Sequence, residues 1–278
     1  TIAGNVAANA GGIHTLKHGV TANHILGLEM VLPDGETLIT RGGSLYDGVG
    51  PDLPGLLCGS EGTFGIITKA WVRLTPAARA FRTIVSIFSR SADACQTVAD
   101  ITAAGLIPAA MEMMDGAMVK VVEDAFHYGF PTDAQALLLI EIDGIEDVLD
   151  DQMNHVAAMC RANRADSVDC SADPKQRTEL WSARKRAFGA IGRISPSYCT
   201  QDACVPRSML PQVIDRIAEI GRRYDLIITN VFHAGDGNVH PILLFKEDDP
   251  DEIRLTLEAS HEILEYCISI GGTLTGEH

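Results

Sequence analysis

The chain has 278 residues, enough for one large domain or two ordinary ones. With 46% hydrophobic and 21% charged residues, and apolar runs far short of the roughly 20 residues of a membrane span, the composition excludes disorder and a transmembrane helix. A formal charge of −15 argues against nucleic acid, which needs clustered Lys and Arg, but leaves room for a small anionic substrate held by a few local cations.

Residues 1–76 read as glycine-rich and β-like. Ile25 to Leu32 alternates, meets the turn Pro33-Asp34-Gly35 and resumes from Glu36 to Arg41, a hairpin pattern. Gly65 to Thr68 and Ala70 to Leu74 predict two further strands, and Pro76 closes the region. From about residue 80 strands and helices alternate. Phe81–Phe88 predicts a strand, and Ser91–Ala104 a helix with Ser91 as N-cap. A short strand (109–114), a helix (115–124), a buried strand (136–143) and a helix (145–163) follow. Then come an edge strand (165–169), a helix (173 to about 190), a strand (198–205) and a helix (208–224). Leu226–His233 and Val239–Phe245 form a strand pair, Pro250–Ile270 a long helix ended by Gly271-Gly272, and Thr273–Thr275 begins a last strand. This order predicts an α+β fold, with a mainly antiparallel sheet and helices on one face, and a boundary near residues 76–80. The seven cysteines form no CxxC pair and read as reduced thiols of a cytoplasmic protein. The chain begins at Thr1 inside a glycine-rich segment and stops at Gly276-Glu277-His278, so a piece of a longer chain is expected.

The sharpest local pattern is His233-Ala234-Gly235-Asp236-Gly237-Asn238-Val239-His240. A Gly-Asp-Gly-Asn core between apolar β runs makes a tight hairpin. If Ala234 pairs with Val239, His233 lies directly opposite His240, with Cβ atoms roughly 4.5–5.5 Å apart, close enough to share a metal ion. Glu277 is the candidate third ligand, because two His and one carboxylate with an open position suit zinc, iron or manganese. Adjacent side chains of an extended segment point oppositely, which leaves His278 as a general base. An ordinary structural hairpin is the competing reading, and His127, His155 and His261 read as structural or surface residues. Two further stretches, Thr1–Gly12 and Gly59–Ile67, are rich in small residues that let backbone approach a large ligand. Neither is a Walker loop or a GxGxxG fingerprint, and each is as consistent with a structural turn as with a cofactor cradle.

Taken together, Thr-Ile-Ala-Gly-Asn-Val-Ala-Ala-Asn-Ala-Gly-Gly and Gly-Ser-Glu-Gly-Thr-Phe-Gly-Ile-Ile-Thr resemble flavin-contacting segments of the FAD-linked oxidase family with the vanillyl-alcohol-oxidase type of FAD domain. The 233–240 hairpin and Gly276-Glu277-His278 resemble the metal and base motifs of its D-2-hydroxy acid dehydrogenase branch. Leu180 to Phe188, Gly192 to Pro196 and Val205-Pro206-Arg207 are similar to members of the glycolate oxidase type. The resemblance implies the second half of an FAD domain over 1–78, followed by a substrate-covering cap over 79–278, itself truncated. It implies FAD contacts at Thr1, Gly4, Asn5, Asn9, Gly12, Gly59, Glu61, Gly65 and Ile66. It also implies a divalent metal on His233, His240 and Glu277, a base at His278 and a carboxylate-pairing Arg184. Ala3 departs mildly from the family, which more often has Gly there. The implied reaction is oxidation of a small 2-hydroxy acid, glycolate to glyoxylate or D-lactate to pyruvate, with hydride passing to flavin. Implied partners are a second flavin-type subunit and an iron–sulfur subunit, with the protein cytoplasmic or peripheral on the inner face of the membrane. The alternatives are a metal-dependent hydrolase built on the same His-His-Glu set, and a cap piece without activity of its own. A chain lacking half the flavin site is expected to bind FAD weakly or not at all.

Overall fold

The computed structural model describes residues 1–40 and 50–274. Glu277, His278, Thr275 and the end of the predicted strand at Arg41 therefore lie outside the described residues. The chain divides into two compact units, Thr1–Ala77 and the described residues from Ala78 onward.

The first unit opens with helix α1 (Ile2–Ala8), where a structural turn or a cofactor cradle was expected. Its capping explains it. The Thr1 hydroxyl accepts from Gly4 N, and Asn9 ends the helix in the left-handed conformation, φ 50°. A short turn α2 (Thr15–His18) and a 3-10 turn (Thr21–His24) lead into β1 (Ile25–Val31), β2 (Thr37–Ile39), α3 (Leu53–Leu57) and β3 (Ile66–Val72). β1 lies between β2 and β3 in an antiparallel sheet. The predicted hairpin is present, with Met30 opposite Leu38. The two strands expected between 65 and 74 are one, β3, with register shifts against β1. Val6, Leu28, Met30 and Leu57 form the small core.

The second unit runs β4 (Ala80–Phe88), α4 (Ser91–Ala103), β5 (Ala110–Asp115), α5 (Gly116–Phe126), β6 (Ala136–Gly144), α6 (Glu146–Ala162), β7 (Ser167–Ser171) and α7 (Pro174–Ile191). It continues with β8 (Ser197–Thr200), β9 (Ala203–Cys204), a 3-10 turn (Arg207–Met209), α8 (Leu210–Tyr224), β10 (Ile228–His233), β11 (Asn238–Phe245), α9 (Pro250–Ser269) and β12 (Thr273–Leu274). The strands form one sheet in the order β12-β9-β11-β10-β5-β6-β4-β7, with β8 also on β11 and every pairing antiparallel. The central strands β5 and β6 are buried along nearly their whole length, as a sheet covered on both sides requires.

The fold class is thus α+β as expected, but the helices do not keep to one face. Cys95 of α4 meets Met113, and Arg82 reaches Asp150 of α6, on one face of the sheet. Trp181 and Arg177 of α7 meet Glu141 on the opposite face. Pleating explains the split, since Met113 and Glu112 are neighbours on β5 and point oppositely. Two smaller expectations also change. Arg90, not Ser91, takes the N-cap position of α4, because the Ser91 hydroxyl donates to Gln135 O instead. The strand expected over 198–205 breaks into β8 and β9 around Gln201 and Asp202.

Candidate active site

The site of the second unit is built where β5, β10, β11 and α7 meet. β10 and β11 pair with Phe232 opposite Val239 and His233 opposite Asn238. The expected register, Ala234 with Val239, is therefore corrected. The reason lies in the turn, because Gly237 is the residue at positive φ, 80°, and a side chain there would collide with Val205 O. The slip moves His233 from directly opposite His240 to the diagonal position but keeps both on one face. Their rings stand edge to face with centroids 5.1 Å apart.

This hairpin end is buried, unusual for a turn. Its backbone groups are satisfied internally: Gly235 N donates to Met111 O, Gly237 N to Ala234 O, and Val205 N to Gly237 O. The Arg207 guanidinium donates to Gly235 O. Both imidazoles are thus held on an immobilised frame.

Glu112 is the main residue that sequence reasoning missed. It is 1% exposed, and its Oε1 and Oε2 lie 2.8 and 3.0 Å from His233 Nδ1. Arg184 Nη2, from α7, lies 2.6 Å from the same carboxylate. A carboxylate in the buried run Ala110-Met111-Glu112-Met113-Met114 was the signal, because a buried charge must have partners. Asp202, at the break between β8 and β9, places Oδ1 3.6 Å from His240 Nδ1. Asn238 Oδ1 is buried and has no hydrogen-bond partner among the described residues. Neither Asp202 nor Asn238 stood out in the sequence, since both are common turn residues.

The structure brings His233, His240 and Arg184 together, while Glu277 and His278 lie outside the described residues. Among the described residues no set of three His, Cys, Asp or Glu side chains has the geometry of a metal centre. What is present fits two ligands of one: adjacent imidazoles, one of them oriented by a carboxylate, beside the unsatisfied Asn238 oxygen.

In the first unit the two expected flavin-contacting stretches lie side by side. Gly59 N donates to Val6 O and Glu61 N to Ala7 O, so the 59–66 segment is pinned along α1. Gly59 and Glu61 both take positive φ, 82° and 50°. Gly65 must be glycine because a Cβ there would meet Val31 O. Thr1, Gly4, Asn5, Gly59, Glu61 and Ile66 are exposed, while Asn9 and Gly12 are half-buried. Asn9 is occupied within the chain, its Oδ1 accepting from Ala22 N. Ile66 is 67% exposed, so this segment leaves apolar surface uncovered as well as the exposed Gly4 and Gly59.

The FAD binding domain family matches residues 1–41, and the family of FAD linked oxidases, C-terminal domain, matches residues 77–278. The glycolate oxidase subunit GlcD of Escherichia coli is 42% identical over 278 residues, covering all of this chain and 56% of that protein. A D-lactate dehydrogenase of Archaeoglobus fulgidus is 30% identical over 279 residues, covering all of this chain and 60% of that one. The chain thus spans somewhat more than half the length of these relatives. Among solved structures, the 4-ethylphenol oxidase of Gulosibacter chungangensis superposes with a TM-score of 0.74 at 17% identity, over 99% of this chain and 62% of that one, a likeness of fold. The match over residues 77–278 covers well over half the sequence, and the chain belongs to the FAD-linked oxidases.

Proposed function

We propose that this chain forms part of an FAD- and metal-dependent enzyme that oxidises a small 2-hydroxy acid, glycolate to glyoxylate or D-lactate to pyruvate. The observation that carries the reading is the buried His233–His240 pair beside Glu112 and Arg184, in a chain 42% identical to a glycolate oxidase subunit. A hydrolase reading of the same pair leaves the FAD-domain match over residues 1–41 without a role.

His233, His240 and Glu277 would hold a divalent metal, zinc, iron or manganese, which supplies Lewis acidity toward the substrate's oxygens. FAD, held by the exposed face of residues 1–12 and 59–66, supplies the hydride acceptor. The chain's own residues bind and orient the acid. Arg184 spends Nη2 on Glu112, yet its buried Nε has no partner among the described residues, so it retains a donor for the substrate carboxylate. His278 is the proposed base that takes the proton from the substrate hydroxyl oxygen. Burial of the hairpin keeps water from competing for these contacts. A second flavin-type subunit and an iron–sulfur subunit are the proposed route for electrons, with the assembly cytoplasmic or on the inner face of the membrane.

The test is anaerobic addition of glycolate, D-lactate and L-lactate to the holoenzyme. Loss of the oxidised flavin absorbance with glycolate or D-lactate, and not with L-lactate, is expected. An unchanged spectrum with all three contradicts the proposal.

A further inference from the structure

Three groups of buried polar side chains join elements of the second unit. Asp115 and Asn230 cap a helix, and Glu141 ties α7 to the sheet. The third, Arg184–Glu112–His233, runs from α7 across β5 to the hairpin that carries the proposed metal ligands. We propose that Glu112 is a positioning residue: clamped by Arg184, its carboxylate fixes the tautomer and ring orientation of His233 and so sets metal affinity. The inference rests on the metal-dependent reading above.

Both Glu112 oxygens lie within 3.0 Å of His233 Nδ1, and a carboxylate only accepts, so Nδ1 carries the proton. In the neutral ring His233 Nε2 then presents a lone pair, the form a metal requires. In water, neutral imidazole is not locked in that tautomer; here the buried acceptor selects it. A carboxylate behind a ligating histidine also makes the ring a better donor. Glu112 could not hold this post alone, since an unpaired carboxylate buried to 1% would be strongly disfavoured. Arg184, itself buried, neutralises it with Nη2 at 2.6 Å. Arg184 thus serves two neighbours, Glu112 through Nη2 and the proposed substrate carboxylate through Nε.

The test uses the holoenzyme stripped of metal by a chelator and titrated with Zn²⁺ against a chromophoric competitor. Glu112→Gln keeps an acceptor toward Nδ1 but removes the charge, and Glu112→Asp keeps the charge. Zn²⁺ affinity is expected to fall about 10- to 100-fold in Glu112→Gln, with partial recovery in Glu112→Asp. A folded Glu112→Gln with wild-type Zn²⁺ affinity overturns the positioning role alone. A wild-type protein that takes up no Zn²⁺, Fe²⁺ or Mn²⁺ overturns the metal reading and this inference with it. If Glu112→Gln does not fold, the imidazole ¹⁵N signals of His233 in the metal-free wild-type protein decide. The Nδ1–H tautomer supports the role, and the Nε2–H tautomer overturns it.

Discussion

Asp115 shows how a single buried side chain sets a measurable property. It ends β5 and caps α5, with Oδ1 accepting from Met118 N at 2.8 Å and Oδ2 from Asn230 Nδ2 at 2.7 Å. Burial pushes its carboxyl up to about 6, against the opposing pull of these two bonds. The folded state therefore keeps its proton to higher pH than the unfolded state, whose carboxyl titrates near 3.8. This contribution is fully present below pH 4 and is lost as pH rises to about 6, on the order of 3 kcal/mol. Asp115→Asn cannot titrate, and its amide can donate to Asn230 Oδ1, which has no partner among the described residues. The stability of Asp115→Asn relative to wild type is expected to rise between pH 4 and pH 7 in urea unfolding. A difference that stays constant with pH would show that Asp115 is not held in this way.

At the scale of elements, two buried sheet carboxylates tie α7 down, Glu112 through Arg184 and Glu141 through Arg177 and Trp181. Glu141 takes bonds from Trp181 Nε1 at 2.6 Å and from Arg177 Nε and Nη2 at 2.5 and 2.9 Å. Glu141→Gln weakens charge-assisted bonds and presents an NH₂ to donors. It is expected to lower stability by about 1–3 kcal/mol in urea unfolding followed by Trp fluorescence, and an unchanged midpoint would contradict the tie. Elements of this unit were largely legible, because buried runs such as Ala136–Leu139 and amphipathic helices such as α8 announce their period. α1 was not. Gly4 and the many small residues pointed to a turn or a cofactor cradle, although Thr1 and Asn9 stood at the two capping positions. The hairpin was legible as a hairpin but not in register, since the position of the one positive-φ glycine, Gly237, decides which residues pair. Glu112 was legible only in hindsight. A strand pattern shows that a buried acid needs partners without showing that His233, 121 residues away, is one.

At the scale of the molecule, the two units differ in how much core they own. The described residues from Ala78 onward bury long apolar stretches of β4, β5 and β6, whereas the first unit's core is Val6, Leu28, Met30 and Leu57. Expressed separately, residues 78–278 are expected to unfold cooperatively and residues 1–77 gradually, as a small core dictates. A sharp transition in the shorter piece, with none in the longer, would reverse this view. Family membership was readable from four short motifs in order, while the packing of α7 on the face of the sheet opposite α4 and α6 was not, because it depends on which pleat each buried charge occupies.

The proposed function depends on a metal held by the His233–His240 pair. Its most direct test is His240→Ala in the holoenzyme, with metal content and the anaerobic rate of flavin reduction by glycolate and D-lactate measured on the same sample. The account predicts a folded, flavin-loaded variant that has lost its metal and reduces flavin at least about 100-fold more slowly. Full metal content together with wild-type flavin reduction would contradict it.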